Sequence, residues 1–176
     1  MYDAIIDEAI RKVPDFPKPG VLFYDLTSLL ADPSAFEHTM RRMNDIYADE
    51  TLDAVAAIEA RGFLVAAPFA LNRGLPLILL RKRGKLPGKV ISRRFDLEYG
   101  SDTIEVHADD VPRNGRVLVI DDLIATGGTI QAACELLEEG GANVAGVFAV
   151  VALPFLRFFD RLGDRSVRFL QEYAEE

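Results

Sequence analysis

The chain has one cysteine, no apolar run of the roughly twenty residues needed to cross a bilayer, and fewer basic than acidic side chains. Each shortage excludes something. Cys134, alone, can form neither an internal disulfide nor a cysteine-based zinc site, and is expected to pack in the core of a protein from a reducing compartment. The opening "MYDAIIDEAIRK" is charged and amphipathic and lacks the apolar centre of a signal peptide, so the expectation is a cytoplasmic protein with no membrane partner. With 20 lysines and arginines against 28 acids, the net charge is −8. The resulting pI near 4.8 argues against nucleic acid as a partner, because phosphate neutralisation needs basic surface.

What is present is an alternation of helical and strand patterns in 176 residues, 49% of them hydrophobic, which suits one domain with an ordinary core. Ile5, Ile6, Ala9, Ile10 and Val13 recur at helical spacing up to Pro14. The proline-rich "DFPKPGVLFYD" is expected to be irregular, and Asp32-Pro33 to cap a helix running to about Ala48. "LDAVAAIEA", "LPLILLRK", "RVLVIDD" and "NVAGVFAVVAL" are continuous apolar runs that predict buried strands. "GFLVAAPFALNRG" and "TIQAACELLEEGG" predict helices between them, "RFDLEYG" and "DTIEVHA" a hairpin, and the tail a short helix and a last strand. The fold class is therefore α/β: a single domain with a parallel central sheet flanked by helices.

Ligands of such sheets bind beyond the carboxyl ends of the strands. There, "VLVIDDLIATGGT" (117–129) ends a buried strand in two aspartates and follows it with small, hydroxylated and glycine residues. Neither G-x-x-x-x-G-K-[ST] nor G-x-G-x-x-G is present, so neither a nucleoside triphosphate nor a dinucleotide is expected. Ionised carboxylates only accept hydrogen bonds, which suits the adjacent hydroxyls of a ribose. A glycine turn opening a helix suits a phosphate. The bland alternative, that the pair merely ends a strand and caps a turn, fits a lone Asp-Asp better than it fits this turn. "RKRGKLPGKVISRR" (81–94) carries seven basic side chains and no acidic one, and reads either as a solvated loop or as a clamp for a polyanion.

"VLVIDDLIATGGT" resembles the phosphoribosyl diphosphate signature of the type I phosphoribosyltransferases. "FPKPGVLFYDLTSLLADP", "EARGF", "RKRGKLPG" and "LEYG", in that order, are similar to adenine phosphoribosyltransferases, and the resemblance covers nearly the whole chain. It implies transfer of ribosyl phosphate from phosphoribosyl diphosphate to adenine in purine salvage, giving AMP and diphosphate with Mg²⁺ as cofactor and a homodimer as the assembly. It also implies a small N-terminal hood (about 1–32) over a core (about 33–176) with a mobile hairpin loop at about 82–107.

Residue by residue, the resemblance gives Asp121 and Asp122 the ribose diol, and Ala125, Thr126, Gly127, Gly128 and Thr129 the 5′-phosphate. Arg61, Arg81, Lys82 and Lys85 would hold diphosphate, and Lys89, Arg93 and Arg94 would simply be solvated. Phe23 and Leu153 would sandwich adenine, with backbone around Leu22 and Tyr24 reading its edge. Glu98 would be the acid/base at adenine N7, with Tyr99 closing over it. No side chain is assigned to metal with certainty. Tyr24 stands where the family commonly has arginine, which leaves another purine base open as substrate. A phosphoribosyl diphosphate-sensing regulator is the alternative from another class. His38 and His107 are expected at the surface, outside the chemistry.

Overall fold

The computed structural model describes residues 2–96 and 100–174. A short helix α1 (Ala4–Ala9) leads into a hairpin of β1 (Arg11–Pro14) and β2 (Leu22–Asp25). The turn α2 (Thr27–Leu30) and helix α3 (Pro33–Ile46) follow, and these segments pack into the apolar cluster on one face of the core. The apolar spacing that predicts helix up to Pro14 is overruled by pairing: Val13 faces Phe23 and Lys12 faces Tyr24 in an antiparallel ladder. Ser28 accepts from the Arg11 N–H at 2.8 Å, so the backbone leaving α1 is satisfied by tertiary partners. For the same reason "LFYD" is a strand and not the irregular stretch that its prolines suggest.

The rest of the chain builds β3 (Ala54–Ile58), α4 (Gly62–Arg73), β4 (Leu77–Lys82), β5 (Val90–Asp96), β6 (Ser101–His107), β7 (Arg116–Ile124), α5 (Gly128–Glu139), β8 (Asn143–Ala152), α6 (Phe159–Leu162) and β9 (Val167–Glu172). Seven of these strands form one sheet in the order β5-β6-β4-β3-β7-β8-β9. The pairs among β4, β3, β7, β8 and β9 are parallel, and the β5-β6 hairpin joins the edge of β4 antiparallel. The basic stretch is thus half strand: Arg81 and Lys82 end β4, and Val90 to Arg94 belong to β5, with a loop between them.

Alternation along the buried strands sorts their side chains onto two faces. Val55, Ala57, Leu118, Ile120 and Phe148 meet α3 and α4. Ala56, Val117, Val119, Val147 and Ala149 meet α5, where Cys134 packs fully buried. Helix ends follow local chemistry: the Asp32 carboxylate accepts from the Ser34 and Ala35 N–H groups, and Gly74, at φ 64°, closes α4. No helix among the described residues is long and apolar enough to cross a membrane.

Candidate active site

Because β3, β4 and β7 are parallel, the loops that follow them open at the same end of the sheet. They surround a cavity of about 510 Å³ lined by Glu59, Arg61, Arg81, Lys82, Asp102, Asp121, Asp122 and Thr129, with Ile58, Leu80, Phe95 and Ile104 as apolar wall. A smaller hollow of about 110 Å³, formed by Asp121 and the 125–130 turn, adjoins it.

Asp121 and Asp122 point to opposite faces, as strand neighbours must. Asp121 accepts the N–H of Asp122 at 2.8 Å. Burial and the carboxylate of Asp122 push its pKa well above the ordinary aspartate value. Asp122, 5% exposed, lies 2.6 Å from Arg61 Nε. That approach depends on Gly62, where a β-carbon would stand 3.0 Å from the Ile120 carbonyl and 3.1 Å from Asp121 Oδ1. The start of α4 can therefore lie against the end of β7 only without a side chain at this position.

The turn after β7 offers backbone in place of charge. Gly127, at φ 80°, occupies the N-cap of α5 and has no side chain to satisfy the first-turn N–H groups, which leaves them for a ligand. A β-carbon on Gly127 would also come within 3.1 Å of Phe158 Cβ. Leu153 follows β8 beside this turn, and its N–H donates to the Ile124 carbonyl at 2.9 Å.

A model of the phosphoribosyl transferase domain family matches residues 25–171. Across its full length the chain is 57% identical to the adenine phosphoribosyltransferase of Treponema denticola, covering 93% of that protein. The chain belongs to the adenine phosphoribosyltransferase family. The fold agrees: the crystal structure of adenine phosphoribosyltransferase from Thermoanaerobacter pseudethanolicus superposes with a TM-score of 0.92 at 39% identity, over 96% of this chain and 98% of that one. The Saccharomyces cerevisiae adenine phosphoribosyltransferase, in complex with adenine and an imino-altritol bisphosphate, superposes with a TM-score of 0.88 at 32% identity, over 94% and 96% of the two chains.

Of the residues that resemblance to this family singles out, the main cavity brings together Arg61, Arg81, Lys82, Asp121, Asp122, Ala125 and Thr129. Thr126, Gly127 and Gly128 line the adjoining hollow. Lys85 stands exposed on the loop beyond β4, and Phe23 stands apart, edge-to-face on Phe16 at 4.9 Å. Leu153 is buried in the core cluster against which Leu22 packs. Glu98 and Tyr99 lie outside the described residues.

Tyr24 is buried and stacks on Tyr173 at 3.9 Å, which ties β2 to the chain's last segment. Two other side chains differ from expectation. His38 is not a free surface histidine, since its Nε2 lies 2.9 Å from Asp3 and its side chain is 14% exposed. Arg93 is not merely solvated: it bridges β5 to Glu135 and Glu139 of α5.

Sequence reasoning missed Glu59, Phe95 and Asp102. Glu59 carried a readable signal, a carboxylate one residue past a buried parallel strand. Asp102 and Phe95 carried none, because they reach the cavity only through the pairing of β6 with β4.

Proposed function

We propose that the chain forms AMP and diphosphate from adenine and phosphoribosyl diphosphate by the following division of labour. The observation that carries it is one cavity at the carboxyl ends of parallel strands that joins a carboxylate pair, a backbone anion turn and three cations. Ribose hydroxyls donate to Asp121 and Asp122, and the 5′-phosphate accepts N–H groups from the 126–129 turn. Arg61, Arg81, Lys82 and Lys85 stabilise negative charge as the C1′–oxygen bond to diphosphate breaks. The carboxylates place negative charge beside the cationic sugar left behind, and the base nitrogen then closes the new bond to C1′. Adenine lies between Phe23 and Leu153, its edge read by backbone near Leu22 and Tyr24, which accounts for tolerance of tyrosine at a buried position 24. Glu98 holds the proton at N7, and Tyr99 closes over it.

Mg²⁺ fits this donor set as a companion of the substrate. Among the described residues no three His, Cys, Asp or Glu side chains cluster as a metal cage. The ion would be held by diphosphate oxygens, water and one carboxylate of the Asp121–Asp122 pair, and would supply neutralising charge.

The assembly we propose is a homodimer through the outer face of α4, where Leu64 and Leu71, seven residues apart, are 50% and 82% exposed. A cytoplasmic location suits the buried, unpaired thiol of Cys134.

The test is Mg²⁺-dependent AMP formation from adenine and phosphoribosyl diphosphate, with guanine and hypoxanthine as rival bases. Turnover of a rival base at the adenine rate overturns the base assignment. Glu98→Gln removes ionisation at constant size, and a fall in kcat on the order of 10²- to 10⁴-fold is expected. Unchanged kcat removes Glu98 from the chemistry.

A further inference from the structure

The cations of the cavity are already engaged before any ligand arrives. Arg61 lies 2.6 Å from Asp122, Arg81 3.0 Å from Glu59 and Lys82 3.2 Å from Asp102. The three pairs are not equivalent. Asp122 belongs to the ribose end. The Lys82–Asp102 pair leaves the lysine side chain 66% exposed, where water and salt weaken it.

Glu59 is different in kind. Its side chain is 16% exposed, and both oxygens are used: one accepts Arg81 Nη2 at 3.0 Å, the other the backbone N–H of Lys82 at 2.9 Å. Arg81 extends the chain of contacts by donating from Nη1 to the Lys85 carbonyl at 3.2 Å. Behind Glu59, its own N–H donates to the Leu80 carbonyl at 2.9 Å. From the far side, Glu105 of β6 accepts the Gly84 N–H at 2.9 Å. The loop carrying Lys82 and Lys85 is thus fixed at successive points, and Glu59 is the side chain that joins it to the turn carrying Arg61. Each terminal nitrogen of Arg81 keeps a second N–H for a ligand oxygen. The hydrogen bond from Arg81 also holds the Glu59 carboxyl below the ordinary glutamate range, so the brace is charged at neutral pH.

We infer that Glu59 is a positioning residue for the diphosphate half of the reaction: it braces the Arg81 guanidinium and the Lys82 amide so that the cationic loop is set before phosphoribosyl diphosphate binds. This rests on the assignment of Arg81, Lys82 and Lys85 to diphosphate. Without the carboxylate, Arg81 loses its anchor and the ligand must order the loop itself.

The experiment compares Glu59→Ala, Glu59→Gln, Arg81→Ala and Lys85→Ala with the unchanged chain. It measures KM for each substrate, calorimetric binding of magnesium diphosphate, and melting temperature. For Glu59→Ala we expect KM for phosphoribosyl diphosphate to rise roughly tenfold or more, as when an orienting partner of a ligand-binding group is lost. Magnesium diphosphate binding should weaken in parallel, while KM for adenine stays nearly constant. Glu59→Gln, which retains an acceptor oxygen but no charge, should fall between the two, and it provides the reading if the alanine variant does not fold. Equal rises in both KM values, or none, overturn the brace. A raised KM for phosphoribosyl diphosphate in Arg81→Ala alone leaves the diphosphate assignment standing without it. No change in either Arg81→Ala or Lys85→Ala overturns that assignment and the brace together.

Discussion

The two anion-facing regions of the cavity are built on opposite plans. The turn at 126–129 holds out backbone N–H groups at the start of a twelve-residue helix and uses no charged side chain. The turn after β3 and the end of β4 with its following loop hold out side-chain cations, and three of these are matched by a carboxylate of the chain itself. A backbone site is set by conformation, so it resists salt and has almost no freedom to change sequence. A side-chain site is set by pairing, so ligand binding there is an exchange of one anion for another, sensitive to ionic strength and tolerant of single losses. The difference predicts which substitutions are severe.

Within these two regions, the largest effect is expected where they meet. Asp121→Asn with Asp122→Asn should lower kcat on the order of 10²- to 10³-fold, the scale of losing a preorganised electrostatic contact. Stability should move the other way. Asp121 has a raised folded-state pKa, so its contribution to stability is complete below the ordinary aspartate range and is lost as pH rises through the raised value. Asp121→Asn should therefore raise the melting temperature of the ligand-free, metal-free protein at neutral pH and flatten its dependence on pH above the aspartate range. A melting temperature that falls at neutral pH contradicts this account of Asp121.

Next comes Gly127→Ala, a substitution with no charge change. Positive φ costs an alanine about 1–2 kcal/mol, and its β-carbon meets Phe158. Displacement of the turn should then cost about 10²-fold in kcat/KM for phosphoribosyl diphosphate. Steady-state kinetics with a circular dichroism control checks it, and near-normal kcat/KM would erase the distinction between the two plans. Lys85→Ala should be milder, raising KM for phosphoribosyl diphosphate about tenfold, the equivalent of 1.4 kcal/mol, with adenine unaffected. That rise should shrink as salt is added, whereas the Gly127→Ala defect should not. The smallest effect is expected at Asp102→Asn. Releasing Lys82 from an exposed pair should lower KM for phosphoribosyl diphosphate by about twofold at low ionic strength and leave it unchanged at high salt. A raised KM at low salt would show that Asp102 helps binding and does not compete with it.

Much of the scaffold for this comparison was legible in one dimension. Apolar runs marked β3, β4, β7 and β8, Asp32-Pro33 marked the start of α3, and the carboxylates and glycines after "VLVI" marked the place where a ligand would sit. These features depend on neighbours within a few residues, through side-chain periodicity, capping and permitted φ, and such terms are carried by the order of residues. The same local rule failed at Val13, whose helical spacing gave way to a ladder with Phe23. It was silent on Glu59 and Arg81, 22 residues apart, and on Arg93 and Glu139, 46 residues apart. Those partnerships follow from which strands lie side by side. By itself the sequence determined the buried strands of the central sheet, the carboxylate pair and the glycine turn. Tertiary structure decided which acid neutralises which base, because strand order follows from packing two apolar faces at once, and a charge pairs with whatever that packing places within a few ångströms.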